Sequence, residues 1–124
     1  MSKTKKEIAR DFLKLAANGH SHEAFRLHVG ENFKHHNAYF KGDADTLMLA
    51  MEESTRKNPN KTFTIHHILE DQNLVAVHSH LKQTPTDIGF VVIHILRFES
   101  DKIVELWDLG QSIPTEIVNE NGMF

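Results

Sequence analysis

Within VVIHILRFESDKIVELWDLG, Val91 to Gly110, two residues stand where a plain core would not put them. His94 sits among Val92, Ile93, Ile95 and Leu96, and Asp108 between Trp107 and Leu109. An imidazole titrates near neutral pH without help. Paired with a carboxylate in an apolar pocket, it suits removal of a proton from carbon beside a carbonyl: Asp108 as general base, His94 holding the oxygen on which charge develops. The plainer account makes His94 a core histidine satisfied by one partner and Asp108 a strand-end residue bonded to a loop.

The chain holds ten histidines, where average usage gives roughly two or three. They are dispersed, which excludes a tag. His78 and His80 share a strand face with Ala76, where they could contact substrate or, with a third ligand from His36, His66, His67 or His94, chelate zinc or iron. In KHHNAYF, His36 and Asn37 are candidates for substrate binding, Asn37 offering a donor and an acceptor to a carbonyl. Trp107 is either a core or interface anchor or a platform for substrate.

These groups need a scaffold. Ile8, Phe12, Leu15 and Ala16 recur at helical spacing and predict a first helix stopping near Gly19. Ser21 is placed to cap a second, shorter helix that ends at Gly30. A short strand or irregular segment, ENFKHHNAYFKGD, follows, and Asp43 caps a third helix stopped by Asn58-Pro59. The period then changes. TFTIHHILE, LVAVHSHLKQT, GFVVIHILRFE and KIVELWDLGQSI read as strands separated by turn chemistry. Helices followed by hairpin-connected strands predict an α+β fold, a strongly curved antiparallel sheet covered by the N-terminal helices into a cone with a pocket at its open end.

Alternation puts Phe90, Val92, His94, Leu96 and Phe98 on one face of the third of these strands. Whether Asp108 joins them depends on the turn. A three-residue loop at Ser100–Lys102 sets His94 opposite Asp108, whereas a two-residue loop at Ser100–Asp101 sets Trp107 there and turns Asp108 away unless a bulge intervenes.

Composition bounds the function. The 124 residues fit one domain, 1–124. The sequence contains no run of about 18 apolar residues, and the basic start is interrupted by Glu7, Arg10, Asp11 and Lys14, unlike a signal peptide. Without cysteine, thiolate chemistry and disulfides are excluded. The formal charge of −3 and the scattered Lys and Arg argue against nucleic acid. A cytoplasmic protein that binds neither membrane nor nucleic acid is expected.

The order of elements, together with HHNAYFKGD and HILRFESDKIVELWDLGQ, resembles the nuclear transport factor 2-like superfamily, specifically its SnoaL-like group of polyketide cyclases and predicted aldol-condensation enzymes. Ala38 departs from that group's pattern, in which proline is common. The resemblance implies that His94 and Asp108 act together on a 1,3-dicarbonyl-like substrate and that Asp108 faces inward. Histidine replaces the oxyanion-stabilising acid of the related ketosteroid isomerases, and the first helix lacks their tyrosine, which makes steroid isomerisation a poorer fit.

Two functions stay open at this point. One is a cofactor-independent enzyme of enolate chemistry, an aldol-type cyclase or isomerase, acting on a small hydrophobic carbonyl compound. The other is a non-catalytic ligand-binding or dimerisation module. In either case Val91, Ile93 and Ile95 on the outer sheet face predict a homodimer. The tail ending in Met123 and Phe124 is expected to hang loose or to cap the pocket or a neighbouring subunit.

Overall fold

The computed structural model describes residues 3–124. Helix α1, Lys5–Ala17, begins with a reciprocal cap: Thr4 Oγ1 accepts from the Glu7 N–H while the Glu7 carboxylate accepts from the Thr4 N–H. Its stripe of Ile8, Ala9, Phe12, Leu13 and Ala16 is buried. Helix α2 runs Ser21–His28 and differs from the sequence reading at both ends. Ser21 is its first helical residue rather than its cap; its buried hydroxyl has no hydrogen-bond partner among the described residues. The helix stops at His28, so Val29 and Gly30 open strand β1, Val29–His36. Helix α3, Ala44–Lys57, is capped by Asp43 accepting from the Thr46 N–H at 3.0 Å and stops at Asn58, as the sequence predicts.

Strands β2 (Thr62–Asp71), β3 (Leu74–Lys82), β4 (Phe90–Glu99) and β5 (Lys102–Ser112) form an antiparallel meander. The sheet order is β1-β5-β4-β3-β2, and β1 lies parallel to β5. The sheet is therefore mixed rather than antiparallel throughout, as well as curved and unclosed. The reason is connectivity: α3 carries the chain from β1 to the opposite edge before the meander starts, and the meander ends beside β1 running in the same direction.

The helices cover the inner sheet face. Phe12, Phe25 and Leu47 from the helices meet Val75, Val77, Leu96, Phe98, Ile103 and Leu106 from the strands in one buried core. On β4 the alternation is as read from sequence: Val92, His94, Leu96 and Phe98 are buried, and their neighbours less so.

The β4–β5 turn combines two of the alternatives. Glu99 pairs with Lys102, so the loop is Ser100 and Asp101, with Ser100 at φ 54°. One pair further, the register shifts: Phe98 pairs with Ile103 but Arg97 with Glu105, leaving Val104 as an extra residue in β5. The bulge restores the pairing of His94 with Asp108 and of Ile95 with Trp107.

Candidate active site

The pocket at the open end of the sheet has a volume of about 650 Å³. Leu13 from α1, Met51 from α3, and Phe63, Phe90 and Val92 from the strands form apolar wall, and His94 and Asp108 line it from adjacent strands. His94 Nε2 lies 3.1 Å from Asp108 Oδ1. Three other histidine–carboxylate contacts among the described residues, His22–Glu52, His28–Asp11 and His36–Glu105, are all 2.6 Å. The pocket pair is thus held more loosely than those three, and an oxygen of a ligand can compete for the imidazole N–H. The Phe63 ring stands edge-on to the imidazole, 6.3 Å away between centroids.

Asp108 is also held from the loop after β1. Asn37 Nδ2 donates to Asp108 Oδ2 at 2.7 Å, and Asn37 Oδ1 accepts from the Tyr39 N–H at 3.0 Å. Asn37 lines the pocket, and its amide positions the carboxylate through one of its two N–H donors, leaving the other and one carbonyl lone pair uncommitted. His35 fixes that loop in turn: its Nε2 donates to the Lys41 carbonyl at 2.7 Å and its Nδ1 accepts from the Asn37 N–H at 3.1 Å. Burial acts to raise the Asp108 pKa. The His94 imidazole, the Asn37 bond and the nearby His35 outweigh it and leave Asp108 below its ordinary 3.8.

Of the other residues proposed from sequence to bind substrate, His36 reaches the pocket and His78, His80 and Trp107 lie on the outer face. Val75, Val77 and Ser79 take the inward positions of β3, so His78 and His80 project from the outer face. There the Nδ1 atoms of His67 and His78 are 2.9 Å apart, sharing one hydrogen, and His80 Nε2 donates to the Ile88 carbonyl at 2.8 Å. Trp107, opposite Ile95, is likewise turned outward and stacks on His36 at 5.0 Å. His36 borders the pocket mouth, but its ring faces away, donating to Glu105 at 2.6 Å. Strand alternation about His94 and Asp108 is the physical cause of the Trp107 displacement, and alternation about Phe33 and His35 of the His36 one. The tail neither hangs loose nor caps the pocket: Phe124 stacks on His66 and His80 at 4.5 Å, over the outer face.

One pocket group escaped the sequence reading: Lys61, half-buried between Pro59 and β2, which no periodicity or motif singles out. His35, behind the pocket, is buried on β1 and fixes the loop that carries Asn37.

The model of the SnoaL-like domain matches residues 9–106. The chain belongs to the SnoaL-like family. The SnoaL-like chain also shares its fold with solved structures. A candidate polyketide cyclase of Bacillus cereus ATCC 10987 is 24% identical and superposes over 86% of this chain and 74% of its own, with a TM-score of 0.75. A candidate isomerase of the SnoaL-like family from Agrobacterium tumefaciens C58 is 12% identical over 89% and 100%, TM-score 0.70. A nuclear transport factor 2-like protein of unknown function from Cytophaga hutchinsonii is 14% identical over 90% and 93%, TM-score 0.71. Among curated proteins none matches significantly. At these identities the structural likenesses establish the nuclear transport factor 2-like fold of this SnoaL-like domain, and the chemistry must be argued from the pocket.

Proposed function

We propose that the protein is a small-molecule enzyme of acid–base, enolate-forming chemistry, working on a compact hydrophobic compound with an activated C–H between carbonyl groups. The observation that carries this reading is the loosely held imidazole–carboxylate pair in an apolar pocket of about 650 Å³. Asp108 accepts the carbon-bound proton, which leaves the electron pair on the enolate. The His94 N–H, released from the carboxylate as it becomes protonated, turns its hydrogen bond to the enolate oxygen. Returning the proton to a different carbon gives isomerisation, and attack of the enolate on a second carbonyl of the same molecule gives aldol-type cyclisation. The candidate cyclase and isomerase among the structural neighbours are consistent with either outcome.

The depressed basicity of Asp108 limits the substrate. A base this weak abstracts a proton at useful rates only from a carbon already acidified by two carbonyls. The test is exchange of solvent deuterium into a panel of 1,3-dicarbonyl compounds. The parent protein is expected to accelerate exchange, and Asp108→Asn to slow it about 10²- to 10⁴-fold, the usual worth of a positioned proton acceptor. Equal rates in parent and variant would remove the reading.

One observation supports a second reading, a ligand-binding module: both Asp108 oxygens already have partners, as suits a carboxylate that shapes a pocket without reacting. In that case the same compounds bind, and exchange stays at the rate in buffer.

A further inference from the structure

Among the described residues that line the pocket, Lys61 is the one lysine or arginine. It lies two residues before Phe63, whose ring faces His94, which puts its backbone roughly 7 Å of extended chain from that ring's residue. Its ammonium donates to Ser54 Oγ of α3 at 2.6 Å, and among the described residues no carboxylate stands within ion-pair distance of it. The lysines that do form ion pairs, Lys3, Lys34 and Lys57, are all on open surface. The Lys61 charge is half-buried against an apolar wall that includes Met51 and Phe63, with one neutral hydroxyl for a partner.

We propose that Lys61 and Ser54 form the subsite for an anionic substituent, a carboxylate carried by the substrate away from its reacting carbon; this deepens the acid–base reading of the same pocket and rests on it. A half-buried cation without a counter-ion carries a solvation cost that a bound anion offsets. Burial holds the Lys61 pKa below its ordinary 10.5, which is the mark of that cost. The apolar lining suits the carbon body of the ligand, Lys61 and Ser54 its anionic end, and His94 with Asp108 its reacting end. With Asp108 negative at the other site, one carboxylate is oriented: it is drawn to Lys61 and repelled from the base, so the dicarbonyl end is the one presented for proton transfer.

The test uses binding, not turnover. The probes are an aryl 1,3-diketone bearing a ring carboxylate and the methyl ester of the same compound, titrated calorimetrically into the full chain. The acid is expected to bind the parent about 10- to 100-fold more tightly than the ester, the range of a charge-assisted bond. Lys61→Met is expected to abolish the preference, and Lys61→Arg to retain it. Because burial works against the native charge, Lys61→Met is expected to hold or raise the melting temperature, so lost preference cannot be put down to misfolding. Equal affinity of acid and ester in the parent, or an unchanged preference in Lys61→Met, would overturn the subsite. A carboxylate preference without deuterium exchange keeps the subsite and removes the acid–base function, whereas exchange without preference does the reverse.

Discussion

Burial by itself would make Asp108 a stronger base, yet the groups that orient it also stabilise its charge. Burial raises its pKa, while His94 at 3.1 Å, Asn37 at 2.7 Å and the nearby His35 lower it by more. Orientation and basicity are therefore opposed at this residue, and a substrate with an acidic proton reconciles them. The same balance has a consequence for stability. A carboxyl whose pKa is lower folded than unfolded stabilises the fold above its ordinary value of 3.8, and that contribution is lost as the pH falls through the folded value. Asp108→Asn lacks it. The gap in melting temperature between parent and Asp108→Asn is expected to narrow as the pH falls below 3.8 and through the depressed folded value; a gap that does not narrow with falling pH would show that the carboxylate is not the source. Sequence made His94 and Asp108 legible because each interrupts an apolar strand. It does not reveal that Asn37 also holds the base, because that partner is 71 residues away along the chain.

The fold depends on local signals that are uneven in strength. Helices α1 and α3 were readable from their stripes and stops, and the Thr4-x-x-Glu7 box adds a start signal for α1 that the periodicity alone does not use. β1 is not readable as a parallel edge strand, because its pairing with β5 is set by where the four-stranded meander finishes rather than by anything in VGENFKHH. The bulge at Val104 was one of three registers that the sequence allowed, and the one that hides Ile103, Val104 and Glu105 in succession. A glycine sets the other end of the pocket. Gly89, at φ 82°, precedes β4, and its carbonyl accepts from the Ile113 N–H at 3.1 Å, tying the end of β5 to the start of β4 beside Phe90. A β-carbon there would lie 2.3 Å from the Leu81 carbonyl oxygen, in a backbone conformation that side chains resist. Gly89→Ala is expected to cost at least about 1–2 kcal/mol, from the left-handed conformation alone. It should also weaken ligand binding, since Leu81 and Phe90 both line the pocket. A denaturation midpoint within error of the parent would contradict this account.

At the scale of the molecule, the two faces of the sheet have divided the histidines. The inner face keeps His94 in the pocket and His35 behind it, whereas β2 and β3 display His66, His67, His78 and His80 outward, where Phe124 lies across three of them. The tail covers the β2–β3 side of that face. On the β4–β5 side Ile93 pairs with Leu109 and Ile95 with Trp107, and Leu109 is 58% exposed. An apolar patch of this kind on a sheet is a surface for association, and a second copy of the chain would bury it against itself across a two-fold axis. Leu109 is the position at which to ask, because a side chain already in water contributes little to the fold and Leu109→Glu should leave the monomer's structure intact. In sedimentation at micromolar concentration the parent is expected to run as a dimer and Leu109→Glu as a monomer, since two buried glutamates at a two-fold contact repel and lose their hydration. A parent that sediments as a monomer would mean that the outer face is closed by the tail alone, and truncation after Gly122, which frees the His66, His78 and His80 rings, would then be the variant expected to associate.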